Sequence, residues 1–156
     1  VERQLEEFRL PASAFCLELT ESAFMDNPET VLNTARRLHL IGLRLSIDDY
    51  GTGYSSLAYL QQLPVQELKI DRSFVMSMPR SRDNTKIVRS TIDLGRSLGL
   101  SVTAEGVEDA ETLEALRAMG CNTAQGTLIS RPLSAADFER WMDEQVVGRF
   151  TVPGAY

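Results

Sequence analysis

Five short apolar runs, separated by amphipathic stretches, constrain the fold of this chain more than any other feature of its sequence. The runs span Phe15–Thr20, Leu43–Asp48, Glu67–Asp71, Ser101–Ala104 and Thr123–Ile129. Their length and nearly continuous hydrophobicity predict β-strands that are buried on both faces, as in parallel sheets. The alternation of strands and helices therefore predicts an α/β fold built on one parallel sheet.

The stretches between the runs have recognisable helix ends. Polar capping residues predict where helices start, and glycines predict where they stop. The starts are Asn27, Asp109 and Ser134, and the stops are Gly42, Gly99 and Gly120. In the last helix, Phe138, Trp141 and Met142 are predicted to belong to the core. The domain is predicted to span residues 1–146. Residues 147–156 are predicted to form a tail, since the segment 149–156 has no periodicity.

The overall composition limits the classes of partner. A length of 156 residues suits one domain with a core, and a net charge of -6 disfavours non-specific binding to nucleic acid. The two distant cysteines predict buried free thiols in a reducing compartment. Since no apolar run approaches a membrane span and no signal peptide opens the chain, we expect a cytoplasmic segment. A membrane tether would have to come from domains outside it.

Each predicted strand ends in charged or reactive polar residues. A charge within an apolar strand is costly unless it is paired, hydrogen-bonded or bound to a metal. The repetition predicts one cluster at the carboxyl ends of the strands, where barrel enzymes keep their chemistry. An open doubly wound sheet is the alternative, but no Gly-rich phosphate loop follows any strand. We therefore predict a TIM-like β/α barrel with a site formed by Glu18, Asp48, Asp49, Lys69, Glu105 and Gln125.

The residue types in this cluster indicate its chemistry. Carboxylates without a histidine pair or cysteine cluster favour Mg²⁺ or Mn²⁺. Two such ions held by carboxylates are typical of displacement at phosphorus, and Lys69 would supply a fixed positive charge. Any one of these residues alone would be read as a helix cap or a solvated side chain. Their joint occurrence at five strand ends is what favours a site.

Five motifs of this chain resemble the EAL family, and they occur in the family's order. They are Glu18-Leu19-Thr20-Glu21, the nine residues from Asp48 to Ser56, Leu68-Lys69-Ile70-Asp71, Ala104-Glu105-Gly106-Val107-Glu108 and Gln125-Gly126. The resemblance implies a β/α barrel of about five strands here. It also implies hydrolysis of cyclic di-GMP to linear pGpG with two Mg²⁺ or Mn²⁺ ions, in bacterial second-messenger signalling.

The resemblance also implies roles for individual residues. Glu18, Asp48 and Asp49 would be metal ligands, with Asp48 between the two ions. Lys69 would hold the attacking water, and Glu105 would be a metal ligand or general base. Substrate-binding or supporting roles are predicted for Gln125, Glu21, Glu108 and Arg131.

A loop that follows the second strand is the other element implied by the resemblance. Glu21 would brace this loop, which in the family couples the metal site to homodimerisation. Its members are Gly51, Thr52, Gly53, Tyr54, Ser55 and Ser56. Its two glycines allow the unusual backbone angles that such a coupling element needs.

The chain departs from the family pattern in two respects. Thr127 stands where the family usually has tyrosine, a change that we expect to be tolerated. The Glu-Ala-Leu motif and an upstream asparagine ligand are expected on strands that precede residue 1, since a complete barrel takes about 250 residues. We therefore expect open sheet edges that favour oligomers, and little or no catalysis by this chain alone. A sensor or GGDEF domain is expected in a longer chain.

Two other functions remain open at this point. A non-catalytic cyclic di-GMP receptor or protein-interaction module would bind without hydrolysis, although this chain retains every acid that it could supply. A barrel enzyme of the enolase type also combines strand-end carboxylates with a lysine, but the nine-residue loop argues against it.

Overall fold

A single parallel sheet organises the molecule, as seen in a computed structural model that describes residues 1–21, 27–53 and 57–147. Five strands lie side by side in chain order. They are β1 (Cys16–Thr20), β2 (Arg44–Tyr50), β3 (Glu67–Ile70), β4 (Ser101–Glu105) and β5 (Thr123–Gln125). All neighbouring pairs are parallel. The predicted partial β/α barrel of five strands is confirmed.

Helices flank the sheet throughout the described residues. They are α1 (Glu2–Glu7), α2 (Pro28–Leu40), α3 (Leu57–Leu60), α4 (Arg72–Ser77), α5 (Arg82–Leu98), α6 (Ala110–Met119) and α7 (Ala135–Val147), with 3₁₀ turns at Ala12–Ala14 and Met78–Arg80. Asn27 and Asp109 cap α2 and α6 by accepting backbone N–H groups. Gly99 and Gly120 end α5 and α6 with φ of 71° and 80°. The predicted starts of α2 and α6 and the predicted stops of α5 and α6 are confirmed, whereas α2 ends at Leu40, just before the predicted Gly42.

The two faces of the sheet differ in polarity because successive side chains of a strand point to opposite faces. On one face, Leu45, Leu68 and Val102 are almost completely buried and pack with helical residues such as Val88 and Ile92. The other face carries the polar residues of each strand. The hydrophobic core thus lies between the sheet and its helices and leaves the polar face for chemistry.

Three sequence predictions about burial were wrong. β1 and β5 are not buried on both faces, because each pairs on one side only among the described residues. Phe138 and Met142 are 50% and 42% exposed rather than core, since α7 makes no extensive contact with another described element. Cys16 is exposed, whereas Cys121 is partly buried; both are free thiols.

The predicted bounds of the strands also needed correction. β5 ends at Gln125 rather than at residue 129, because Gly126 turns the chain against Val107. A Cβ at Gly126 would lie 2.1 Å from the Val107 carbonyl oxygen. β2 continues two residues beyond its predicted end at Asp48, to Tyr50.

Some predicted features fall outside the described residues. Tyr54, Ser55 and Ser56 of the loop do so, as do residues 148–156 of the tail. Across the part of the chain that is described, no helix combines the length and the hydrophobicity required to span a bilayer.

Candidate functional site

Lys69 lies at the centre of the polar face, on the central strand β3. Its Nζ atom is 2.5 Å from Glu105 Oε1, 2.6 Å from Glu18 Oε1 and 3.5 Å from Asp48 Oδ1. The lysine side chain is only 7% exposed. Burial alone would lower the pKa of Lys69, but the hydrogen bonds to Glu105 and Glu18 raise it above its ordinary value. Lys69 is therefore a permanent ammonium ion at neutral pH.

Strand register explains how residues of four strands reach one point. Lys69 is level with Thr103, two residues before Glu105 on the neighbouring strand β4. Glu18, on β1, must reach across β2 to contact Lys69. The residue level with Glu18 on β2 is Ser46, whose small buried side chain leaves the path open. The predicted cluster at the strand ends is thus present for Glu18, Asp48, Lys69 and Glu105.

A β-bulge brings the two consecutive aspartates to the same region. The pairing of β2 with β3 passes from Ile47 opposite Leu68 to Tyr50 opposite Ile70, so β2 contains one extra residue. Asp49 takes this extra position with φ of 55°, a left-handed conformation that Asp tolerates better than most residues. In a regular strand, Asp48 and Asp49 would point to opposite faces.

Asp71 is a site residue that the sequence interpretation missed. It caps α4 by accepting the backbone N–H of Ser73 at 2.9 Å, but its carboxyl group also contacts that of Asp49. Burial and the charges of Asp48 and Asp71 raise the pKa of Asp49. Burial alone would raise the pKa of Asp71, but the hydrogen bonds from Ser73 lower it. The signal in the sequence was its place at the end of β3.

Glu21 holds the start of the loop that follows β2. Its side chain is buried, and Oε2 accepts the backbone N–H groups of Gly51 and Gly53, each at 3.1 Å. Gly51 has a φ of 102°, which disfavours other residues. Burial and the Glu21 charge raise the pKa of Tyr50. This is the bracing contact expected of Glu21; its coupling to dimerisation stays a prediction.

A cleft of about 860 Å³ adjoins Glu105 at the carboxyl ends of β4 and β5. Gln125, which is level with Glu105, forms part of its wall. The other predicted substrate residues, Glu108 and Arg131, line the same cleft. Arg72 lies there too and was not singled out from the sequence. Two guanidinium groups and two carboxylates make the cleft suitable for a polar, phosphorylated ligand.

Comparison with known proteins decides the family. The family model of the EAL domain matches residues 1–132. The chain belongs to the EAL domain family. This membership confirms the resemblance noted in the sequence and argues against the enolase-type alternative.

Relatives and solved structures of this family cover most of the chain. The cyclic di-GMP phosphodiesterase NbdA of Pseudomonas aeruginosa is 45% identical over 142 residues, which are 91% of this chain and 18% of NbdA. The MucR phosphodiesterase of the same organism, solved in complex with c-di-GMP, is 43% identical with a TM-score of 0.87. BlrP1 of Klebsiella pneumoniae, a manganese and c-di-GMP complex, is 32% identical over 83% of this chain, 33% of that chain, with a TM-score of 0.77.

The chain is shorter than the proteins that it resembles. It spans 17%, 16% and 18% of the length of the first curated relatives that it matches. The match with the MucR structure covers 88% of this chain and 56% of that one. The 156 residues are thus a partial EAL domain.

The letters Glu-Ala-Leu do occur in this EAL domain segment, contrary to the expectation that assigned them only to earlier strands. Glu114-Ala115-Leu116 lies inside α6. Leu116 is buried in the core, and Glu114 pairs with Arg117 on the helix surface. Because this tripeptide lies on a helix and away from the strand ends, it does not contribute to the site.

The acidic residues of this EAL domain segment suit a cation but do not form a closed cage around one point. Among the described residues, no group of three His, Cys, Asp or Glu side chains is arranged to hold a single ion. Three carboxylates instead converge on the Lys69 ammonium, and Asp49 and Asp71 form a separate pair. These five acidic residues outnumber the single ammonium of Lys69, and divalent cations with oxygen ligands would balance the excess negative charge.

Proposed function

We propose that this chain provides part of a two-metal phosphodiesterase site that hydrolyses cyclic di-GMP to linear pGpG. The main support is the convergence of Glu18, Asp48 and Glu105 on Lys69 at the strand ends of a partial EAL barrel. NbdA is named a cyclic di-GMP phosphodiesterase, and MucR was solved with c-di-GMP, which supports this substrate.

We assign the ions to the two groups of acids. Glu18, Asp48 and Glu105 would contribute ligands to one ion, and Asp49 with Asp71 would contribute ligands to the other; neither group is a complete cage within the described residues. Their hard oxygen donors favour Mg²⁺ or Mn²⁺, and the manganese complex of BlrP1 supports that choice. Such ions, when bound, activate a water molecule and stabilise charge on phosphoryl oxygens.

The protein groups would orient the substrate and balance charge. Lys69, whose ammonium is fixed by three carboxylates, places a positive charge where a nucleophilic water or the developing phosphorane charge can use it. Because Glu105 contacts the Lys69 ammonium directly, Glu105 would act as a metal ligand or as a general base next to this positive charge. Arg72 and Arg131 can pair with phosphate oxygens, while Glu108 and Gln125 can accept hydrogen bonds from a guanine edge.

One observation favours a second candidate function. Because the acids of the described residues form no ready-made cage for one ion, the segment could serve as a cyclic di-GMP receptor or interaction module that binds without turnover. The two functions predict the same binding and differ in product formation.

The assay supplies the remainder of the barrel from a relative. A chimera joins the upstream part of the MucR phosphodiesterase domain to this chain and is incubated with cyclic di-GMP and Mg²⁺ or Mn²⁺. We expect linear product by chromatography, abolished in Asp48→Asn and unchanged in Asp93→Asn, an exposed aspartate on α5. The chain alone should show little or no turnover.

The outcomes separate the candidates. Tight cyclic di-GMP binding without product in a folded chimera would favour the receptor. Neither binding nor product, with the parental MucR domain active, would contradict both functions. Full activity in Asp48→Asn would refute the metal assignment.

We further propose the setting in which the site acts. A cytoplasmic location is consistent with two free thiols and with the proposed second-messenger substrate. The loop 50–56 region is proposed as the homodimer contact. An attached sensor or GGDEF domain is proposed because the relatives are much longer, and MucR is named as both a diguanylate cyclase and a phosphodiesterase.

A further inference from the structure

We infer that Lys69 competes with a divalent cation for the carboxylates of Glu18, Asp48 and Glu105. The ammonium would then weaken metal binding and stabilise the fold when metal is withheld. This inference rests on the proposed metal site and concerns how that site balances its charge.

Carboxylates already surround the Lys69 ammonium group. Of its three N–H donors, two have close acceptors in Glu105 and Glu18 at 2.5 and 2.6 Å, and Asp48 lies 3.5 Å from Nζ as an ion-pair partner. These carboxylates come from strands on both sides of β3, so the ammonium lies at the point where they converge. An ion that binds between the same carboxylates must draw oxygen atoms away from Lys69.

The position of Lys69 makes this competition hard to avoid. Its side chain is 7% exposed and belongs to the central strand of the sheet, so the amine cannot simply extend into water. A divalent ion a few ångströms away is repelled by the ammonium. Even with water-like screening, a single positive charge at about 4 Å changes the affinity for a divalent ion by roughly tenfold or more.

The sign of the effect separates competition from preorganisation. If Lys69 mainly held the acids ready for metal, its removal would weaken metal binding. If it competes, removal of its charge strengthens metal binding and leaves three repelling carboxylates in the absence of metal. The second result is the one that the geometry predicts.

The first experiment compares Lys69→Met with Lys69→Arg and the native chain. Mn²⁺ binding is measured from the free-ion signal by electron paramagnetic resonance, and melting is followed in EDTA and in Mn²⁺. We expect Lys69→Met to bind Mn²⁺ at least about tenfold more tightly, to melt at a lower temperature in EDTA and to gain more from Mn²⁺. Lys69→Arg, which keeps the charge, should not bind Mn²⁺ more tightly than the native chain. Lys86→Met is the matched control, since Lys86 is exposed and pairs with the exposed Asp83 on the surface of α5.

A second experiment needs no substitution and remains informative if Lys69→Met does not fold. Lys69 and Lys86 are the only lysines of the sequence, so acetylation of the native chain, read by mass spectrometry, reports both amines. Lys69 should react slowly in EDTA and faster as Mn²⁺ is added, with Lys86 unchanged. The midpoint of the change should match the Mn²⁺ dissociation constant.

The results that would overturn the inference are distinct from failure of the metal site. Equal or weaker Mn²⁺ binding by Lys69→Met, or Lys69 reactivity that does not respond to bound Mn²⁺, would overturn the competition. Absence of Mn²⁺ binding by the native chain and all variants would overturn the proposed metal site and this inference together.

Discussion

The contact of Glu21 with the loop after β2 gives a prediction that the structure defines closely. In Glu21→Ala, the backbone N–H groups of Gly51 and Gly53 lose the carboxylate oxygen that accepts both of them at 3.1 Å. The loop should then open much more often than in the native chain. Opening of this segment does not require the sheet to unfold, so the effect should be mainly local.

The magnitude follows from the two hydrogen bonds. A bond to a charged acceptor contributes about 1.5–3 kcal/mol, and the lower value applies here because the loop amides can turn to water. Two bonds therefore amount to about 3 kcal/mol, or roughly a hundredfold increase in loop opening. Glu21→Gln keeps a neutral acceptor and should give an intermediate effect of about tenfold.

Amide hydrogen exchange measured by NMR gives the test. The Gly51 and Gly53 amides should lose protection by the stated factors, while amides of β3 and β4 change much less. Glu139→Ala, an exposed glutamate on α7, is the matched control and should leave the loop unchanged. Native protection of both glycine amides in Glu21→Ala would refute the bracing role.

Three further predictions concern stability and assembly. Burial and neighbouring carboxylates raise the pKa of Asp49, so its ionised form opposes folding above that pKa. In EDTA at pH 7, Asp49→Asn should melt about 1–2 °C higher than the native chain. This gain in melting temperature should vanish below pH 3.8, the ordinary pKa of Asp, where the native carboxyl group is protonated in both states. A gain that persists below that pH would contradict the charge repulsion assigned to Asp49. Gly126→Ala should lower the free energy of unfolding in urea by about 3 kcal/mol or more because the new Cβ clashes with Val107. The control Gly99→Ala, which has open space at the Cβ, should lower it by only about 1 kcal/mol. Similar losses of stability in the two variants would refute the steric argument. Among the described residues, β1 and β5 each have one edge that pairs with no other strand. Such edges should make the chain oligomeric in sedimentation experiments, and a monomer that melts cooperatively would contradict this.

Much of the fold could be predicted because its signals are local. Apolar runs, capping residues and glycines act within a few residues of each other, and the sheet order follows from the strand–helix alternation. Gly99 illustrates this, since its left-handed φ ends α5 at the predicted residue. What failed was non-local. The exposure of Phe138 depends on which elements pack against α7, and the periodicity of a helix does not contain that information.

The residues of the site also differ in whether they could be predicted from local sequence signals. Glu18, Asp48, Lys69 and Glu105 could be placed together because the carboxyl ends of parallel strands share one edge of the sheet. The Asp49–Asp71 pair could not be predicted in this way. Asp71 had a sufficient local explanation as a helix cap, and the bulge at Asp49 arises only when β2 pairs with β3.

The bulge and the buried lysine are linked by one electrostatic requirement. A regular β2 would place Asp48 and Asp49 on opposite faces, and one carboxylate would then enter the apolar layer between sheet and helices, where an unpaired charge is costly. The left-handed turn at Asp49 avoids this and gives the site a fifth carboxylate. The resulting charge excess cannot be balanced by Lys69 alone, so the backbone irregularity creates a need for further cations. The regular alternation of side chains along β2 is therefore broken at Asp49, where the proposed metal site needs both aspartates on the polar face.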